Sequence, residues 1–237
     1  MKSPILLISL FAFLLLPAAH AQKVGETVTT PFQELAQNEK GSHLRGQVND
    51  LVALVRTKRL PEAEREANKL QGTFEASFNR KVRQYSFQSK EEYLEFKSTS
   101  PQEFEWIDWS YKVTLQMKAF IAAEKRDFLA ALSALEVVEA VAPISAATAA
   151  ERGYVLNQIG QSANALAAYR KSHALSTRYQ SQRLHQAAAL RGMGFALIEL
   201  QRFDEAESVF HESLKIEPSN RVALNELAYI RDLRAKR

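Results

Sequence analysis

The sequence has 237 residues and contains no cysteine, only 8 glycines and only 7 prolines. Without cysteine the chain forms no disulfide, no thiolate zinc site, no iron–sulfur cluster and no thiol nucleophile. The scarcity of glycine and proline, together with an apolar content of 46%, is typical of a folded chain rather than a disordered one. Charge of one sign is not in large excess, because 31 basic residues face 27 acidic ones and the net charge is +4. This mixed surface does not predict a nucleic-acid partner.

Catalytic motifs are missing from the sequence as well. The histidines that follow residue 21 form neither an HExxH motif nor a His-x-x-x-His pair, so a helical zinc site has no scaffold. There is no G-x-S-x-G motif and no Walker loop, and the stretch "RGMGF" lacks the third glycine of a dinucleotide-binding fingerprint. The sequence therefore predicts a protein that is not an enzyme and that holds neither a cofactor nor a metal ion.

The one long apolar run of the sequence, residues 5–16, lies near the beginning of the chain. It follows a positively charged start and precedes the small residues Ala19 and Ala21, which is typical of a secretory signal peptide. We expect residues 1–21 to be removed after Ala21, so that a periplasmic or secreted protein begins at Gln22. The run is shorter than the roughly 20 residues of a membrane span, and no later segment is apolar enough to be one. An uncleaved membrane anchor is the alternative.

An alanine recurs at regular intervals along the chain. The interval from Ala131 to Ala165 is repeated, because Ala63 lies two such intervals before Ala131, and Ala206 lies one interval and seven further positions after Ala165. Small residues and, in the last two copies, an aromatic residue recur at fixed distances from this alanine. The residues that carry the pattern are Gly194, Ala206, Phe210, Ser213 and Pro218 in the best copy, and Gly153, Ala165, Tyr169 and Ser172 in the copy before it. The seven extra residues of the last interval predict either a longer helix pair or a polar loop.

A unit of about 34 residues with small, aromatic and proline residues at these positions resembles the tetratricopeptide repeat. The resemblance implies an all-α protein in which each unit is a pair of antiparallel helices and the units stack into a right-handed α-solenoid. Three such repeats are predicted over 112–218 and a degenerate helix pair over 44–77. The other predicted parts are an N-terminal segment, 22–43, an aromatic-rich non-repeat helical segment, 78–111, and a C-terminal capping helix, 219–237.

The segment 78–111 departs from the repeat, because Lys97 occupies the position at which the repeat needs a small residue. Capping-box patterns that begin at Ser89 and at Ser100 predict two helix starts within it. We expect its many aromatic residues to form a local core, and an exposed binding patch is the alternative. Trp106 and Trp109 are three residues apart and are predicted to share one helix face.

In tetratricopeptide repeat proteins the first helix of each unit lines a concave groove, and the resemblance implies which residues face it here. Phe120, Tyr154 and Phe195 occupy equivalent positions and are expected to form a ladder of rings. These rings and neighbouring amides suit an extended peptide or a partner helix. The basic clamp with which some family members bind a terminal carboxylate is absent, so an acidic chain end is not the expected ligand. The predicted groove residues are Gln116, Phe120, Glu124, Tyr154, Asn157, Gln158, Arg191, Phe195, Ile198 and Glu199.

The sequence thus predicts a non-enzymatic protein–protein interaction module of the cell envelope, a scaffold or a chaperone that binds a protein or peptide in its groove. The alternative is a structural subunit whose groove is covered by its own N-terminal segment or by self-association. Neither nucleic acid nor an integral membrane span is expected.

Overall fold

The computed structural model describes residues 40–235, so the predicted signal peptide and nearly all of the predicted segment 22–43 lie outside the described residues. Within this range the chain divides into two compact units, residues 40–144 and residues 145–235. No helix between Lys40 and Ala235 is both long and apolar enough to cross a membrane. Helices make up most of the described chain, and the predicted all-α fold of stacked helix pairs is confirmed.

The unit 40–144 begins with a short 3-10 helix, Ser42–Leu44, and continues with five α-helices and two short strands. In chain order these are α1 (Arg45–Arg56), α2 (Leu60–Ala76), β1 (Arg83–Tyr85), α3 (Lys90–Thr99), β2 (Phe104–Trp106), α4 (Trp109–Glu124) and α5 (Phe128–Val141). Apolar residues at intervals of three and four residues give α1 and α2 one buried face each. The buried residues are Val48, Leu51 and Val55 of α1 and Ala63, Ala67, Leu70 and Phe74 of α2.

The segment between α2 and α4 forms a small β-α-β unit. Strands β1 and β2 pair in parallel, with Tyr85 opposite Trp106, and α3 connects them. The predicted helix start at Ser100 is wrong, because Ser100 is the C-cap that ends α3 and the chain continues into β2. A residue that precedes a proline avoids the helical conformation, and Pro101 follows Ser100. Trp106 and Trp109 do not share a helix face either, since Trp106 ends β2 and Trp109 begins α4.

The predicted helix start at Ser89 is correct. The Ser89 hydroxyl accepts a hydrogen bond from the backbone N–H of Glu92 (3.2 Å), and the Glu92 carboxylate accepts one from the backbone N–H of Gln88 (2.8 Å). Helix α3 therefore begins with the serine cap that the capping-box pattern predicts, and the Glu92 carboxylate bonds to the residue before the cap.

The aromatic residues of the β-α-β unit contact each other closely. The rings of Tyr93 and Trp106 are stacked with centroids 4.4 Å apart, and Phe87 contacts both rings edge-on. Phe87 is buried, whereas the other rings of the cluster are half-buried. The cluster consists of Tyr85, Phe87, Tyr93, Phe96, Phe104 and Trp106. It is a local core that is partly open to solvent.

The unit 145–235 consists of five α-helices and one 3-10 helix, Gln180–His185. The α-helices are α6 (Ala146–Gln158), α7 (Ser162–Arg178), α8 (Gln186–Glu199), α9 (Phe203–Ile216) and α10 (Arg221–Ala235). Helix α6 packs against α7, α7 against α8, α8 against α9, and α9 against α10. These contacts and the short connections give two successive antiparallel helix pairs followed by a terminal helix.

The two helices of each pair are joined by the same turn. One residue in every turn has a positive φ: Lys58 (58°), Arg126 (62°), Gly160 (79°) and Gln201 (59°). The N–H of the following residue donates to the carbonyl five residues earlier, at 2.9 Å in all four turns. This left-handed C-cap ends the first helix of each pair and satisfies one of its last carbonyl groups. The positive-φ residue always precedes the recurring alanine by five residues, so the periodicity of the sequence is also a periodicity of the backbone.

The recurring small residues lie where helices touch. Ala131, Ala165 and Ala206 are completely buried. A Cβ atom built on Gly194 would lie 2.5 Å from the ring of Phe210, which is closer than real Cβ contacts. Glycine at 194 therefore lets α8 and α9 approach each other with the Phe210 ring between them, which outweighs its cost of about 1 kcal/mol inside a helix.

The seven extra residues between the last two repeats are divided between a helix and an ordered connection. Helix α7 has 17 residues, three more than α9, and the 3-10 helix follows it. Gln182 of the 3-10 helix is completely buried, and its side-chain oxygen accepts a hydrogen bond from the N–H of Ala146 (3.1 Å). The predicted longer helix pair and the predicted loop are thus both present in part. The connection also caps the start of α6 through Gln182.

Candidate functional site

The predicted groove residues of the unit 40–144 lie on α4 and are held by other side chains. The Lys58 ammonium group contacts the Glu124 carboxylate (2.5 Å) and lies 5.7 Å from the centroid of the Phe120 ring. Lys112 donates a hydrogen bond to the side-chain oxygen of Gln116. Phe120 is only 2% exposed and Gln116 only 3%. Both side chains thus have little accessible surface, and binding of a ligand by these residues stays a prediction.

Three predicted groove residues lie close together near the end of α6. Tyr154 and Gln158 are half-buried, and Asn157 is buried. Within residues 40–235 the Asn157 side-chain oxygen and the Gln158 side-chain nitrogen have no hydrogen-bond partner, although both atoms are buried. Binding of another chain by these two amides stays a prediction.

The predicted groove residues of α8 have different environments. Arg191 is completely buried and donates hydrogen bonds to the Ser213 hydroxyl (3.1 Å) and the Glu217 carboxylate (2.7 Å). Burial lowers the pKa of Arg191, and the charge of Glu217 opposes this effect. These bonds tie α8 to the end of α9, so Arg191 has a structural role that the sequence did not predict.

The other three residues of α8 range from buried to exposed. Phe195 is 7% exposed and packs edge-on against Phe210, with ring centroids 5.7 Å apart. Ile198 is buried, whereas Glu199 is exposed. Glu199 borders a shallow cleft of about 310 Å³ that extends to the turn between α6 and α7. Glu199 is therefore the predicted residue of α8 that a ligand reaches most directly.

Helix α10 carries a buried acid that sequence reasoning missed. Glu226 is completely buried, and neither carboxylate oxygen has a hydrogen-bond partner within the described residues. Burial and, to a smaller extent, the nearby charge of Glu199 together raise the pKa of the Glu226 carboxyl to about 7. One repeat interval beyond Phe195 lies the half-buried Tyr229, so the sequence period could have extended the predicted groove to α10.

We expect the Glu226→Gln variant to be more stable than the wild type at pH 8, by about 2–3 kcal/mol, and equally stable at pH 4. The pKa of Glu226 is about 7 in the folded protein and 4.5 in the unfolded chain. Between pH 4.5 and 7 the folded protein therefore keeps a proton on Glu226 that the unfolded chain has lost. The stability of the wild type therefore falls as the pH rises from 4.5 through 7, and the neutral amide removes this loss. Urea denaturation at several pH values measures it, with the exposed Glu212→Gln as control. A difference that does not change with pH would contradict the prediction.

Metal ligands are not clustered in the described structure. Between Lys40 and Ala235 no group of three or more histidine, aspartate or glutamate side chains is arranged to hold a metal ion.

The geometry defines a protein built from repeated helix pairs, and comparison with known proteins identifies the repeat. Residues 145–218, which cover α6 to α9, match the tetratricopeptide repeat family. This part of the chain therefore resembles a pair of tetratricopeptide repeats. The comparison with curated proteins gave no match.

Solved structures with a similar fold include three tetratricopeptide domains. The first domain of Spaghetti (RPAP3), bound to an HSP90 peptide, is 22% identical, with 52% of this chain and 93% of that chain aligned and a TM-score of 0.47. The Arabidopsis OM64 domain is 17% identical, with 51% and 94% aligned and a TM-score of 0.47. The second domain of human RPAP3, in complex with an HSP70 peptide, is 19% identical, with 51% and 98% aligned and a TM-score of 0.44.

Proposed function

We propose that this protein is a non-enzymatic interaction module of the bacterial cell envelope, which binds a peptide or a partner helix along the first helices of its repeats. The observation that carries the proposal is the pair of tetratricopeptide repeats at 145–218, with the unsatisfied amides of Asn157 and Gln158 on its first helix. Side-chain amides offer both a donor and an acceptor, which suits the backbone of a bound chain. The half-buried ring of Tyr154, one turn earlier on α6, adds an apolar contact for its side chains.

A second candidate is a structural subunit whose groove is covered. The burial of Phe120 and Phe195 favours this candidate, because two of the three predicted ladder rings have little accessible surface. In this case the rings contribute to stability rather than to ligand binding.

The Tyr154→Ala variant distinguishes the two candidates. We expect it to weaken binding of a partner captured from an envelope extract by about 1–3 kcal/mol, the range for an aromatic hot spot, without a large change in melting temperature. The control is His211→Ala, which changes an exposed residue of α9. If Tyr154→Ala melts early and binds normally once folded, the ring belongs to the core and the covered structural subunit replaces the first candidate.

The proposed location in the envelope depends on removal of the signal peptide. We expect protein recovered from the periplasmic fraction to begin at Gln22, because Ala19 and Ala21 are the small residues that a signal peptidase requires. Intact-mass measurement tests this expectation. Recovery of a species that retains Met1 in the membrane pellet would contradict it.

A further inference from the structure

Buried polar atoms without a hydrogen-bond partner among residues 40–235 recur in the unit 145–235. They include the side-chain oxygen of Asn157, the side-chain nitrogen of Gln158 and both carboxylate oxygens of Glu226. A buried polar atom without a partner costs about 1–3 kcal/mol. Such atoms are rare in native proteins, and each one requires a physical explanation. A ligand that supplies the missing partners is one explanation, and it accounts for all three residues together.

The chemistry of these groups specifies what the ligand must offer. The Asn157 oxygen needs a donor and the Gln158 nitrogen needs an acceptor, and the backbone of an extended peptide offers both. An ionised Glu226 carboxylate only accepts hydrogen bonds. It lies near a second carboxylate, Glu199, whose negative charge raises its pKa. The nearest cation of α8 in sequence, Arg191, is bonded to Ser213 and Glu217 instead. A cationic side chain from outside would therefore be stabilised by both carboxylates, whereas an acidic ligand would be repelled.

We infer that the first helices of the unit 145–235 bind an extended peptide that carries a lysine or arginine side chain. Asn157 and Gln158 bond to the peptide backbone, and Glu199 and Glu226 bind the cation. This inference rests on the proposed function and adds the chemical class of the partner to it.

Fluorescence anisotropy with three pools of labelled, end-blocked octapeptides tests the inference on the purified protein. The pools are identical in length and apolar content and differ only in whether their charged positions hold lysine or arginine, aspartate or glutamate, or serine. We expect the basic pool to bind at least tenfold more tightly than the acidic pool. Glu226→Gln should lower the affinity for the basic pool at least tenfold and leave the affinity for the serine pool unchanged. Asn157→Ala should weaken the binding of all three pools to the same extent.

The control variant is Glu212→Gln, which removes an exposed carboxylate from α9 and should leave the binding of every pool unchanged. Circular dichroism verifies that each variant is folded. Equal binding of basic and acidic pools, or an unchanged preference in Glu226→Gln, would overturn the inference and leave the proposed groove intact. Binding of no pool would overturn the inference and the proposed groove together.

Discussion

The Asp108→Ala variant should lose about 3–5 kcal/mol of unfolding free energy, because this one side chain serves as a helix cap and as half of a buried ion pair. Asp108 is completely buried at the start of α4. One carboxylate oxygen accepts hydrogen bonds from the backbone N–H (3.0 Å) and the hydroxyl of Ser110. The other accepts hydrogen bonds from Arg45, including one from Nε at 2.9 Å.

Removal of Asp108 leaves Arg45 as a largely buried cation without this partner, since its side chain is only 19% exposed. The backbone N–H of Asp108 bonds to the carbonyl of Lys40 (3.0 Å), so the carboxylate lies where α1, α4 and the start of the described chain meet. Loss of a buried charge partner is more costly than loss of a cap alone, which typically costs about 1 kcal/mol.

A second capping aspartate supplies the matched control. Asp127 caps α5 by accepting a hydrogen bond from the N–H of Ala130 (3.0 Å), and it is exposed. Asp127→Ala should therefore cost only about 1 kcal/mol. Both tryptophans of the chain, Trp106 and Trp109, lie next to Asp108, so fluorescence during urea denaturation reports on this region. Equal losses in the two variants would show that the ion pair contributes nothing.

The helix pairs could be predicted because packing restricts which residues fit at helix contacts. Ala165 and Ala206 are completely buried where a larger side chain would separate the helices, so the same residue type recurs at the same spacing. The positive-φ turns could not be predicted, because Lys58, Arg126 and Gln201 are not residues that favour this conformation. In those turns the fixed separation of two packed helices outweighs the local preference of the residue.

The β-α-β unit was misread because its capping signals were stronger than its strand signals. The residues around β1 alternate between polar and aromatic, because Gln84 precedes Tyr85 and Ser86 separates Tyr85 from Phe87. Strand β2 likewise contains Glu105 between two aromatic residues. Alternation over so few residues is a weak strand signal. Contacts between the rings of the two strands and α3 supply the missing stabilisation, and these contacts join residues far apart in the sequence, such as Phe87 and Phe104.

The groove residues stay a prediction, whereas the predicted fold is confirmed. Repeat position alone indicates which face of a helix a residue occupies, and it led to Asn157, Gln158 and Glu199. The repeat position of Arg191 could not predict its ion pair with Glu217 of the same repeat. Glu217 lies beyond the end of α9, and a single ion pair leaves no periodic pattern in the sequence. Groove residues can therefore be identified only from the three-dimensional structure. The residues at helix contacts can be predicted from the sequence, because packing restricts their size.

The Gly192→Ala variant should lose about 1–3 kcal/mol of unfolding free energy, although alanine favours helices more than glycine does. A Cβ atom on residue 192 would lie 2.2 Å from Cε1 of the Tyr169 ring. The ring cannot move away, because a Cβ atom on Gly153 would also lie only 2.9 Å from it and Tyr169 is 1% exposed. Two glycines from α6 and α8 thus enclose one ring of α7.

Gly72→Ala is the control, because Gly72 lies within α2 and a Cβ atom there would meet nothing within 4 Å. This variant should gain up to about 1 kcal/mol, so the same substitution has opposite signs at the two positions. Thermal denaturation followed by circular dichroism measures both effects, with about 2–4 °C of melting temperature per kcal/mol. Adding Tyr169→Leu to Gly192→Ala should cost less than the two single changes combined, because the smaller side chain removes the clash. Additive losses in this double-mutant cycle would show that the ring does not require glycine at 192.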